Sequence, residues 1–143
     1  EGIEVVRARR DSNWLAGDRA WDDGIAGESG DFTAVPEFHP DAATWSFAYG
    51  SNATTDAAAR IVRMTSAAET FFTAQSAGGE GAIATPYTRI LHLDPICKSS
   101  TIGALCDPDR DPKIGIRVRS DVRWLSRNGT HQMDVEESLY DWR

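Results

Sequence analysis

The C-terminal stretch from Lys113 to Arg143 constrains the fold more than any other part of the chain. It reads KIGIRVRSDVRWLSR, then Asn128-Gly129, then THQMDVEESLYDWR. In its first half Ile114, Ile116, Val118, Val122 and Trp124 occupy even positions, while Arg117, Arg119, Asp121, Arg123 and Arg127 occupy odd ones. That alternation belongs to a strand with one face buried. Asn-Gly between two such runs predicts a β-hairpin, because a type I′ turn needs positive φ at both central residues. With Asn128 and Gly129 as the loop, Trp124 is expected opposite Met133, Val122 opposite Val135 and Val118 opposite Leu139. The apolar side chains then share one face. On the other, Arg123 meets Asp134 and Arg119 reaches diagonally to Glu136. A slip of one residue would set Met133 and Val135 against Arg123 and Asp121, so the pattern argues for its own register.

The remaining 112 positions are consistent with one domain in a chain of 143 residues, long enough to bury a core. Apolar residues make up 41%, a modest share, and they fall in short alternating runs rather than helical stripes. The net charge of −7, from 22 acidic and 15 basic residues, argues against nucleic acid as an obligatory partner over the whole surface. The stripe Arg117, Arg119, Arg123 and Arg127 stays a candidate contact surface unless facing carboxylates pair with it. There is no signal peptide and no run of about 18 apolar residues, as expected of a soluble chain. The start at Glu1 rather than Met is expected of a processed or truncated product.

Ile3, Val6 and Arg10 have helical spacing, so Glu1–Asp11 reads as the end of a helix. Residues 12–30, interrupted by Gly17, Gly24, Gly27 and Gly30, read as a connecting loop pinned by Trp14, Leu15, Trp21 and Ile25. Residues 31–143 form the sheet domain. Its strands are expected at Phe32–Phe38 and Thr44–Tyr49 around a turn at His39-Pro40-Asp41, and at Glu69–Gln75 and Thr85–Asp94. Pro86 marks the start or an edge of the last of these. Ala57–Met64 fits strand or helix and is read as strand. One helix, an irregular segment, short strands and a long hairpin make an α+β domain with an antiparallel sheet.

Cys97 and Cys106 flank a polar loop, and a disulfide there fits an exported protein; two free thiols or half a metal site are the alternatives. Asp107, Asp109 and Asp111 alternate like the start of a calcium loop. Pro112 and Val118 stand where an EF-hand needs Gly and Glu, so they rank as a weak calcium candidate beside a solvated acidic turn. His39, His92 and His131 lie far apart, and no nucleophile elbow, phosphate loop or HExxH is present. The reading is therefore of a protein that is not an enzyme and takes no cofactor. Asn52-Ala53-Thr54 and Asn128-Gly129-Thr130 match the glycosylation sequon, though the second has a structural reason in the hairpin turn.

The segment EGIEVVRARRDSNWLAGDRAWDDG, Glu1 to Gly24, resembles the region just after the hydrophobic helix in bacterial type IV pilin-like proteins. The resemblance is particularly to minor pilins and pseudopilins with an EG(I/L)E-VVR-x-x-RD-x-(N)W pattern. The ending Leu139-Tyr140-Asp141-Trp142-Arg143 is similar to the closing strand of that group; the middle of the chain carries no likeness. The resemblance implies a pilin-like fold and an extracytoplasmic subunit of a type IV pilus or secretion pseudopilus. Such a subunit is anchored in the inner membrane by a preceding helix and later joins a cell-surface or periplasmic filament. Its implied partners are other pilin subunits and the assembly machinery, with DNA or a host surface as further contacts. Both cysteines precede the last hairpin, so the usual disulfide-clipped C-terminal region of major pilins is not implied. A secreted carbohydrate- or protein-binding β module using Trp14, Trp21 and Trp45 is the alternative; it calls for exposed, coplanar rings.

Overall fold

The computed structural model describes residues 1–25, 32–39, 42, 44–50, 57–65, 70–74 and 82–141. The expected turn at Pro40-Asp41, the Asn52 sequon and most of the glycine-rich stretches after Ile25 and Gln75 lie outside them. The described chain is one helix, α1 (Gly2–Ala16), followed by seven strands: β1 (Thr33–His39), β2 (Thr44–Tyr49), β3 (Arg60–Thr65), β4 (Thr70–Ala74), β5 (Ile83–Cys97), β6 (Lys113–Ser126) and β7 (Gly129–Tyr140). Ala57–Ala59 form a single 3-10 turn leading into β3.

This corrects the α+β, pilin-like expectation to a mainly β fold. Helical periodicity is confined to the first 16 residues, and every later apolar run among the described residues joins one antiparallel sheet. The helix itself runs five residues beyond the expected end at Asp11 and stops at Gly17, whose φ of 75° closes it while its N–H donates to the Asn13 carbonyl. Trp14 and Leu15 are therefore helical, not loop anchors. No helix among the described residues is long and apolar enough to cross a membrane.

The 15-residue β5 is the spine. One edge pairs with β6 from Tyr87 to Cys97; the other pairs with β3 near Ala84 and Thr88, then with β1 at Leu91 and His92. Pro86 is inside this strand, beside the register shift of β3 between Arg60 and Val62, where the missing N–H disturbs no regular ladder. β2 and β4 extend the sheet beyond β1 and β3, and β7 extends it beyond β6.

The hairpin forms, but its register differs from the expected one by two residues. Arg127 and Asn128 make the corner, and Gly129 already pairs with Ser126. Within this connection Gly129, at φ 118°, has the positive φ, whereas a type I′ turn would need it at Asn128 too. The Asn128 N–H is instead held by Ser126 Oγ at 3.1 Å. As a result Trp124 faces His131, Val122 faces Met133 and Ile116 faces Leu139. An even shift leaves each side chain on its expected face. It also moves the charges: Arg119 faces Glu136 squarely, Arg123 faces Gln132, and Asp121 faces Asp134.

One face of the sheet holds the main core. Val6 and Ile3 of α1 pack with Leu91, Leu93, Ile116, Val118 and Leu139, and Ala34 and Ile25 close the sides. Val35, Ala59 and Ile90 form a smaller cluster of their own.

Candidate functional site

The helix-bearing face can be followed rung by rung across β5, β6 and β7. Leu93, Val118 and Glu137 make one rung, Leu91, Ser120 and Val135 the next, then Arg89, Val122 and Met133, and finally Tyr87, Trp124 and His131. The helix covers the lower rungs and begins over the second. At Gly2 an added Cβ would lie 2.8 Å from Leu91 Cδ2, 2.9 Å from Ser120 Oγ and 3.2 Å from Arg89 Cδ. Glycine and the small Ser120 let the helix start sit directly on the sheet. Gly2→Ala is expected to destabilise the domain by about 1 kcal/mol, because overpacking of ~1–3 kcal/mol exceeds the gain in helix propensity. Urea unfolding checks this; an unchanged or higher stability would mean that the helix start is not seated.

Beyond Gly2 the helix no longer covers the upper rungs, which are partly exposed although Arg89 itself is buried. They form a groove of about 530 Å³ whose lining includes Ile61, Tyr87, Arg89, Val122, Met133 and Val135, with Glu1, Glu4 and Glu137 at its helix end. Met133 is 57% exposed, Val135 48% and Tyr87 42%, so the apolar side of the hairpin is sealed only over half its length. At the far end Trp124 stacks on His131 with centroids 5.3 Å apart and meets Tyr87 at 5.9 Å. Arg7 clamps the near end, donating to Glu4 at 2.7 Å and to Glu137 at 2.6 Å. These carboxylates hold its pKa above the usual guanidinium value.

Arg89 stands out on this face. Its side chain is 3% exposed, and Nη1 lies 3.3 Å from Glu1 Oε2. Nε and Nη2 are buried without a hydrogen-bond partner among the described residues. Burial lowers its pKa, with Glu1 opposing the shift.

The residues singled out in the sequence do not converge. Two of the four arginines of the stripe are neutralised within the sheet: Arg117 donates to Asp94 at 2.8 Å and lies 3.9 Å from Glu136, and Arg123 donates to the buried Asp121 at 2.9 Å. Arg119 and Arg127 are exposed, and no carboxylate lies within ion-pair distance of either among the described residues. Cys97 and Cys106 form a disulfide with Cα atoms 5.5 Å apart. The aspartates that follow it are occupied locally. Asp107 Oδ1 accepts from the Asp109 and Arg110 N–H groups, and Asp111 accepts from the Ser99 N–H and hydroxyl. Among the described residues no three acidic, Cys or His side chains gather as a metal site would require.

The three tryptophans of the binding-module alternative are each partly buried and separately engaged. Arg10 lies 4.6 Å over Trp14, Lys113 lies over Trp21 while pairing with Asp22, and Phe38 tilts against Trp45 at 5.1 Å. His92 is half-buried on β5, its pKa lowered by burial and by Arg119; His39 bonds Ser46, and His131 bonds Ser126. Sequence reasoning missed Arg89 and the row Tyr87, Trp124 and His131. The row needs the β5–β6–β7 registers to be known. Arg89 carried a weak signal as a charge at a core-phase position of a strand, two residues before Leu91.

No protein-family model matches the chain, and comparison with curated proteins and with solved structures finds no match.

Proposed function

We propose that this chain is a non-catalytic domain of an extracytoplasmic filament subunit, of the type IV pilus or secretion-pseudopilus class. The observation that carries the reading is the bare upper half of the sheet face. It is apolar, lies on the side already occupied by α1, and opens at the helix N-terminus. A helix preceding Glu1 and continuous with α1 would cover it, and that is the element by which a subunit of this class is held in the membrane and later packed in a filament. The likeness of Glu1–Gly24 to the segment after such a helix supports the same reading. The Cys97–Cys106 disulfide suits an oxidising compartment.

Partners on this reading are neighbouring subunits and the assembly machinery. The internal neutralisation of Arg117 and Arg123 leaves only Arg119 and Arg127 of the stripe to meet DNA or a host surface. The alternative of a secreted binding module is less favoured, because Trp14, Trp21 and Trp45 are each packed by a different neighbour rather than displayed together.

The coding sequence upstream of Glu1 tests the proposal. A short basic leader, a cleavage site followed by a glutamate, and about 20 apolar residues running into EGIEVVR are expected, enough to span a bilayer. An ordinary cleaved signal peptide or a separate soluble domain there would refute it.

A further inference from the structure

The outer edge of β7 is open. The strand pairs with β6 along its length, and no described strand pairs with its other side. At 12 residues it is longer than the other end strands of the sheet, β2 with 6 and β4 with 5. It contains no proline and no register shift, two of the devices by which exposed edges are commonly closed. One hydrogen bond fixes the phase of its backbone. The Asp141 N–H donates to the Ile114 carbonyl at 2.9 Å, a pair that continues the β6–β7 register, so Leu139, Glu137, Val135 and Met133 turn their backbone groups towards β6. Ser138, Glu136, Asp134 and Gln132 turn theirs outward, and all four residues are exposed.

The side chains along that edge are sorted by face. On the helix-bearing face stand Met133 and Val135, both exposed, and on the opposite face Asp134 and Glu136. Asp134 faces Asp121, which is taken by Arg123. No cation lies within ion-pair distance of Asp134 among the described residues. Like charges on one rung are destabilising, and a cation on the next strand outward would relieve them. A second copy of the chain does not supply it. In an antiparallel pairing of β7 with its copy, outward-turned residues meet outward-turned residues, so a pairing centred on Asp134 and Glu136 sets acid against acid.

We propose that the outer edge of β7 takes up, as an added antiparallel strand, an extended segment of another protein in which Lys or Arg alternates with apolar residues. The basic residues stand opposite Asp134 and Glu136 and exchange backbone hydrogen bonds with them. The apolar residues stand opposite Met133 and Val135 and cover them. In such an addition the main-chain bonds give affinity and the alternate side chains give specificity. The inference is separate from the filament-subunit reading, since it uses only the β6–β7 hairpin and needs no element before Glu1.

The test titrates the chain with a fluorescent peptide of about eight residues in which lysine and valine alternate. Saturable binding is expected. N-methylation of the lysine amides, which face β7, should weaken it at least about tenfold, and N-methylation of the valine amides should change it less than about twofold. Asp134→Lys removes the like-charge rung, so the variant should be at least as stable as the parent. It should bind this peptide about three- to tenfold more weakly and gain affinity for the corresponding glutamate–valine peptide. No binding at about 1 mM peptide, equal affinity for a peptide with the same lysines and valines in two blocks, or equal effects of the two N-methylations would overturn the inference. A dimer in sedimentation that Gln132→Pro dissolves would also overturn it, because that substitution removes an outward N–H alone and would assign the edge to a second copy.

Discussion

Leu91→Ala is expected to cost about 3 kcal/mol of folding stability and to lower the unfolding midpoint by roughly 10 °C. Leu91 is fully buried in the main core cluster, which also contains Val6, Ala34 and Val118. It sits on β5 where three elements depend on it: β1 pairs at this residue, β6 pairs across it, and the start of α1 rests on its Cδ2. The strands on both sides are held in a hydrogen-bonded ladder, so the site has little freedom to collapse around the missing atoms, and the cavity persists. Thermal unfolding followed by circular dichroism gives the number. A loss under ~1 kcal/mol would mean that β5 is not the spine of the sheet.

Opening the disulfide, by Cys97→Ala with Cys106→Ala, is expected to cost about 2–3 kcal/mol. The bridge closes a loop with a sequence separation of 9, so most of the effect comes from freeing the unfolded chain. The native loop has other ties that should keep its shape. Ile96 bridges Ile102, the Cys97 N–H donates to the Thr101 carbonyl, and Asp111 holds Ser99. The variant should therefore unfold at lower denaturant with a slope that is unchanged or higher. A drop in the slope would instead report that the loop and the end of β5 had come apart in the native state.

The hairpin shows how far alternation can be read and where it stops. The two faces were legible because the side-chain period of a strand is two, and any even error in register preserves them. The register itself was not legible. Asn128-Gly129 fits a type I′ turn, but it fits equally a corner at Arg127-Asn128 followed by a glycine at positive φ, and the Ser126 hydroxyl favours the second. The helix boundary was misplaced for a tertiary reason. Residues 12–30 read as a glycine-interrupted loop, yet the Asn13 side chain is buried and donates to the carbonyls of Trp21 and Asp23, which ties the following turn back onto the helix. Arg89 was not singled out, since nothing local distinguishes an arginine that will be covered. The bare half of the face was also beyond reach. Val122, Met133 and Val135 continue the pattern of the buried Val118 and Leu139 without a break, and only the position of the helix start separates covered from uncovered.

On the proposed reading, the upper half of the face, which α1 does not cover, is a seat for a helix that precedes α1. The most direct measurement is the reaction rate of a thiol placed there, with Met133→Cys labelled by a polar maleimide in two settings. In the chain beginning at Glu1 the thiol should react at the rate of an exposed cysteine. In the full-length protein it should react at least about tenfold more slowly, because local opening must precede reaction. Equal rates in the two would mean that no element of the protein covers this face, and would contradict the account.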